Sequence, residues 1–175
     1  MSRKVVFWMC GLSGAGKTTL AQKLYEALKK ENQKVYHIDG DRLRKSINKD
    51  LSFSVNDRQE NIRRAGEIAK LFYNEGYIVV VSLISPFQQS RDMVQNLFPR
   101  EAFREIFIKC DLSVCEKRDP KGLYKKFREG EIADLTGIDS PFEAPAEPDL
   151  ILETDKESIE QSFEKLLNYC RNHFE

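Results

Sequence analysis

At 175 residues the chain is read as one ordinary domain, long enough to bury a sizeable core and too short for a second catalytic module. Its 28 Lys and Arg balance its 28 Asp and Glu, which excludes a whole-chain field for holding nucleic acid or an acidic membrane and leaves only local patches sized for a small anion. Four cysteines without a C-x-x-C pair, no charged-then-apolar leader and no run of membrane-span length give the pattern of a reduced, cytoplasmic protein, and His37 and His173 lack the close spacing of zinc ligands.

Val5 to Cys10 is a short continuous apolar run, as expected of a strand buried on both faces. It leads into Gly11-Leu12-Ser13-Gly14-Ala15-Gly16-Lys17-Thr18-Thr19, which fits the phosphate-binding template G-x-x-x-x-G-K-[ST]. The glycines let the backbone turn so that successive N–H groups face phosphate oxygens, with a helix N-terminus behind them. Lys17 can reach the β- and γ-phosphates, and the Thr18 hydroxyl can take a place on Mg²⁺. Leu20, Leu24, Ala27 and Leu28 then recur at helical spacing, completing strand, loop and helix.

Val35 to Ile38 reads as a second strand, and Asp39-Gly40-Asp41 follows at its end, on the ligand side of such a sheet. Two carboxylates there suit a kinase: one can orient and deprotonate an acceptor hydroxyl or serve the Mg²⁺ shell, the other can bind substrate. An acidic turn that binds nothing stays open on these residues alone. Arg42, Arg44, Arg58, Arg63 and Arg64 are available to an anionic substrate. A helix is predicted from about Asp57 to Asn74, with Ile62, Ala65, Ile68, Ala69 and Phe72 on one face and Ser54 with Asp57 as a capping pair.

Further strands are predicted at Tyr77 to Val81, Ile106 to Ile108 and Leu150 to Leu152, and a last helix carries Ile159, Phe163, Leu166, Leu167 and Cys170. Between them, Asp119 to Pro148 is rich in Gly, Pro and charge, which predicts a lid or binding loop. The alternation of strand and helix predicts an α/β fold with a five-stranded parallel sheet, helices on both faces, and ligands at the carboxyl ends of the strands.

Taken together and in order, GLSGAGKTT, IDGDRLR (Ile38 to Arg44), FSVNDRQENIRR (Phe53 to Arg64), SLISPF (Ser82 to Phe87), CEKRDPKGLYKK (Cys115 to Lys126) and TGIDSPFEAP (Thr136 to Pro145) resemble the adenylylsulfate kinase family of P-loop kinases nearly end to end. The resemblance implies the three-layer P-loop NTPase sandwich and transfer of the ATP γ-phosphoryl, with Mg²⁺, to the 3′-hydroxyl of adenosine 5′-phosphosulfate. It implies that Gly11, Ser13, Gly14, Ala15, Gly16, Lys17, Thr18, Thr19 and Arg118 bind the nucleotide, with Thr18 on the metal. Lys17, Asp39 and Ser85 form the implied catalytic set. Asp39 orients the 3′-hydroxyl, and Ser85 is a substrate contact, because in-line transfer needs no covalent intermediate.

Asp41, Arg44, Arg58 and Asn61 are assigned to the phosphosulfate substrate, Phe53 to its base, and Ile84, Ser85 and Lys121 to the rest of that pocket. The lid would close over ATP and exclude water. The resemblance also implies a homodimer acting on a small molecule, with no nucleic acid or membrane partner.

The sequence departs from the family where a Gly-Phe pair usually precedes Thr-Gly-Ile-Asp. Asp134-Leu135 stands here, so Leu135 takes the place of an aromatic that stacks on the adenine, a contact worth about 1 kcal/mol beyond area burial. A related 3′-hydroxyl nucleotide kinase with another base, for example a pyrimidine 5′-diphospho compound, is the alternative this motivates. A nucleotide-dependent switch is a third reading. Asn48-Lys49-Asp50 has the wrong register for its N-K-x-D motif, and the acceptor-side blocks would have no use in it.

Overall fold

β1 (Val6–Cys10) is buried along its whole length. Its side chains alternate between two hydrophobic clusters: Phe7 and Met9 enter one, Val6 and Trp8 the other. An uninterrupted apolar run is what a strand covered on both faces requires. The computed structural model describes residues 4–174. Among these, β2 (Val35–Asp39), β3 (Ile78–Ser82), β4 (Phe103–Lys109) and β5 (Leu150–Glu153) complete a five-stranded sheet in the order β2-β3-β1-β4-β5. Every neighbouring pair is parallel.

α1 (Lys17–Lys30) and α7 (Ile159–Phe174) cover one face, where Leu20, Leu24 and Leu28 share a cluster with Leu166, Cys170 and Phe174. α3 (Val55–Asn74) and α4 (Gln88–Gln95) cover the other, with Ile62, Ala65, Ala69 and Val94 against Trp8, Val79 and Val81. These three layers are those of the P-loop NTPase sandwich. Three shorter helices stand at the carboxyl end of the sheet or beside it: α2 (Gly40–Arg44), α5 (Leu112–Arg118) and α6 (Leu123–Arg128). Segments this short cannot show a full apolar stripe, so periodicity did not reveal them.

The predicted helix from Asp57 begins earlier, at Val55, because Ser54 is its N-cap and accepts the Asp57 N–H at 3.2 Å. The reciprocal half of the box is displaced. The Asp57 carboxylate turns back to the Ser52 N–H, at 3.0 Å, and to the Ser52 hydroxyl. The segment 119–148 is more ordered than its composition predicts: the Asp119 carboxylate caps α6 by accepting the Tyr124 and Lys125 N–H groups at 3.2 and 3.0 Å. No helix of the described residues is long and apolar enough to cross a membrane.

Candidate active site

The chain leaves β1 at the centre of the sheet and turns into α1. Gly11 has a φ of 148°, and a Cβ there would lie 2.4 Å from the Ile108 carbonyl oxygen, so a side chain has no room at the strand exit. Its N–H donates to Ile84 O at 3.2 Å. Of the residues predicted to bind nucleotide or substrate, Gly11 alone does not line the cleft. Its place is beneath the loop, which it ties to the chain leaving β3.

Residues 13–19 all line that cleft, which has a volume of about 760 Å³ and opens at the carboxyl ends of the strands. Four consecutive loop carbonyls accept hydrogen bonds from side-chain donors. Lys17 Nζ donates to Leu12 O at 2.7 Å, Tyr124 Oη to Ser13 O at 2.9 Å, Arg118 Nη1 to Gly14 O at 3.3 Å, and Thr154 Oγ1 to Ala15 O at 2.7 Å. These bonds occupy the loop carbonyls, and the Ala15 N–H closes a turn on Leu12 O at 3.2 Å. α1 adds its own first turn, because Gly16 caps it without a side chain and the helix dipole is positive there. Burial, with the charge of Lys121 adding to it, lowers the Lys17 ammonium to about 8.

Asp39 ends β2 in register with Ser82, the last residue of β3. Its Oδ2 accepts Thr18 Oγ1 and Ser82 Oγ, each at 3.0 Å, and its Oδ1 accepts the Asp41 and Arg42 N–H groups at 3.1 and 3.2 Å. Burial pushes the carboxyl pKa up, but these bonds outweigh it and hold the group below the ordinary carboxylate range. Ser82 spends its one proton on Asp39, so His37 Nε2, 2.9 Å from the same hydroxyl, is the protonated ring nitrogen. Burial lowers the His37 pKa, which keeps the ring neutral.

Across from the loop, the Phe53 ring is 57% exposed, with the guanidinium carbons of Arg44 and Arg58 at 4.3 and 5.6 Å from its centroid. Burial, and for Arg44 the charge of Arg58, lowers the pKa of both. Arg58 is fixed by donating to Phe53 O at 2.8 Å, to Thr136 Oγ1 and to Asp134 O. Asp134 has a φ of 58°, the left-handed region that aspartate tolerates better than most residues. Leu135, 7% exposed, puts an apolar side chain on the same wall. Asn61 accepts Asn48 Nδ2 at 2.9 Å, Asp41 is ion-paired with Lys121 of the 119–148 segment, and Ile84 with Ser85 lines the floor.

Sequence reasoning gave no role to Ser82, Tyr124, Thr136 or Thr154; the first three fall within the blocks that carry the resemblance, but their part is to hold functional groups, which those blocks did not assign. Ser82 also left a local signal, ending an apolar strand at the level where Asp39 ends its own, whereas Thr154 left none.

A phosphate loop and a cationic, partly aromatic wall, facing each other across one ionised carboxylate, define a P-loop kinase with separate donor and acceptor sides. The sequence profile of the adenylylsulphate kinase family matches residues 3–153. A probable adenylyl-sulfate kinase of Bacillus subtilis (strain 168) is 51% identical over 170 residues, 97% of this chain and 85% of that protein. An adenylyl-sulfate kinase of Bacillus pumilus is 52% identical over 166 residues, 95% of this chain and 84% of that one. The Mycobacterium tuberculosis APS kinase CysC, solved in complex with AMPPNP and APS, superposes with a TM-score of 0.91 at 40% identity, covering 98% of this chain and 99% of that structure. The chain belongs to the adenylylsulphate kinase family.

Proposed function

We propose that the protein transfers the γ-phosphoryl group of ATP to the 3′-hydroxyl of adenosine 5′-phosphosulfate, giving the 3′-phospho product and ADP. The observation that carries this is Asp39, an ionised carboxylate hydrogen-bonded to the first turn of the phosphate loop's helix and placed between that loop and the arginine-bearing wall. In this reading N–H groups of the loop and of the first turn of α1, with Lys17, hold the triphosphate, and Arg118 serves the donor nucleotide. Arg44, Arg58, Asn61 and Asp41 hold the acceptor, with Phe53 and Leu135 on its base and Lys121 and Ile84 closing the pocket.

Asp39 orients the 3′-hydroxyl and accepts its proton as the oxygen attacks the γ-phosphorus and the bond to the β-bridging oxygen breaks. Ser85 donates a hydrogen bond to the acceptor and forms no covalent intermediate. Oxygen donors suit Mg²⁺, and the Thr18 hydroxyl with the Asp39 carboxylate, 3.0 Å apart at the loop, fits that ion. Mg²⁺ held there would neutralise charge on the phosphates.

Residues 1–175 act as one catalytic domain, and 119–148 as its lid, rooted on the loop through Tyr124 and reaching Asp41 through Lys121. The reading extends to a cytoplasmic homodimer. Support for the compartment comes from four free cysteines, all buried. Light scattering on the purified protein tests the dimer, and a monomer mass would overturn it.

An acceptor screen with Mg-ATP, read out as ADP formation, tests the reaction. Turnover is expected with adenosine 5′-phosphosulfate. Turnover with cytidine or uridine 5′-diphospho compounds and none with adenosine 5′-phosphosulfate would overturn the assignment in favour of a kinase for another base.

A further inference from the structure

Ser85 is a non-glycine residue with a φ of 49°, a left-handed backbone that persists only where its surroundings fix it. Its segment is fixed from every side. Gly11 N–H donates to Ile84 O at 3.2 Å, and Glu143 N–H donates to Pro86 O at 2.8 Å. Trp8 Nε1 donates to Ser85 Oγ at 3.0 Å, and Arg91 Nη1 donates to Ser85 O at 2.7 Å.

Arg91 is the unusual member. It is a charged residue, 1% exposed, on α4, none of whose residues lines the cleft, so it acts on the site only through the chain it holds. Its Nε lies 2.7 Å from Glu105 Oε1 on β4, an ion pair whose angle makes no hydrogen bond. Its Nη2 donates to Gln88 Oε1 at 2.7 Å, and the Gln88 N–H donates to Glu143 Oε2 at 2.6 Å. One guanidinium thus joins β4, α4, the exit of β3 and the far end of the 119–148 segment. A buried ion pair is weak evidence for stability, since apolar residues of similar volume often serve as well. Its three-way geometry asks for another use.

Trp8 Nε1 can only donate, so the Ser85 hydroxyl acts as acceptor toward it and keeps its own proton. Ser85 lines the cleft, and that proton is free to be given to an acceptor there. We infer that Arg91, braced by Glu105, is a positioning residue for the acceptor side: it locks the left-handed turn at Ser85 and thereby aims the Ser85 hydroxyl and the Ile84 to Pro86 wall at the substrate. The inference rests on the function proposed above for its kinetic arm only.

Two variants test it. Arg91→Lys keeps the charge opposite Glu105 but cannot reach Glu105, Ser85 O and Gln88 together, because an ammonium lacks the planar fork. The double variant Arg91→Gln, Glu105→Gln removes both charges, so neither is left buried and unpaired. In each, KM for adenosine 5′-phosphosulfate is expected to rise by about tenfold or more while KM for ATP stays within about twofold.

The second readout needs no turnover. Trp8 is the only tryptophan, so its indole N–H gives a single resonance that reports the bond to Ser85 Oγ. It is expected to shift in both variants. An indole resonance that does not move in either variant overturns the inference, as does a fall in thermal stability with equal rises in both KM values. Failure of the wild type to turn over adenosine 5′-phosphosulfate would instead sink the proposed function, and the indole measurement would still decide the role of Arg91.

Discussion

Thr18 Oγ1 donates to Asp39 Oδ2 across 3.0 Å, which joins the first turn of α1 to the end of β2 and so the donor side of the cleft to the acceptor side. Because the carboxylate also accepts Ser82 Oγ and two backbone N–H groups, it is ionised and its direction is set before any substrate arrives. Asp39→Asn keeps the size and replaces one acceptor oxygen by an amide that can take no proton. The expected result is a kcat about 10²- to 10⁴-fold lower, with ATP binding retained. Steady-state kinetics checks it, and a kcat within about tenfold of wild type would rule Asp39 out as the base.

Lys17 carries a pH prediction. Burial lowers its ammonium to about 8, so in the free protein the lysine is cationic below that pH and neutral above it. Phosphate oxygens favour the cation, and above pH 8 binding has to draw a proton from solvent. ATP affinity is therefore expected to be level at lower pH and to fall by up to about tenfold per pH unit above 8. Titration calorimetry in two buffers of different ionisation enthalpy would show the proton uptake. Lys17→Ala should abolish transfer and remove the pH dependence. An ATP affinity of the wild type that is flat to pH 9.5 would contradict the assignment.

Leu135 sits on the apolar part of the acceptor wall, with Phe53 on the same cleft. If the base is adenine, Leu135→Phe adds a stacking partner worth about 1 kcal/mol, or roughly fivefold tighter acceptor binding. ATP affinity should barely change. Acceptor KM measured beside ATP KM decides this, and weaker acceptor binding would show that the side chain at 135 does not meet the base.

Gly66 predicts stability rather than activity. It lies in α3 where α4 packs closest, and a Cβ there would sit 2.9 Å from Val94 Cγ2 and 3.1 Å from Leu97 Cδ1. Valine is stiff at χ1 and gives way poorly. Alanine gains up to about 1 kcal/mol in helix propensity, against an overpacking cost of about 1–3 kcal/mol. Gly66→Ala is expected to lose about 1 kcal/mol in urea unfolding with both KM values unchanged; a gain in stability would show that the helices can separate.

Much of the candidate site was legible because its residues sit where periodicity ends. Residues 11–19 interrupt an apolar run, and Asp39 closes another, so both stand out locally. Arg44, Arg58, Phe53 and Leu135 were legible only through the resemblance, since an arginine on a helix has no pattern that separates it from a solvated one. Arg91 was invisible by either route. Its partners Ser85, Gln88 and Glu105 lie on three separate elements, and a cation in a short polar helix reads as surface until the fold buries it.

The sequence by itself determined the five strands and the three long helices in order, the phosphate loop and the level of the sheet at which chemistry could occur, because hydrophobic periodicity and glycine geometry are local properties of the chain. Which groups meet at that level was decided by the parallel register, which sets Asp39 beside Ser82, and by the segment 119–148 folding back to place Tyr124 on Ser13 and Asp134 on Arg58. Those contacts span from 43 to 111 residues of chain. Only packing of the whole sheet and its helices brings such distant groups within hydrogen-bond range.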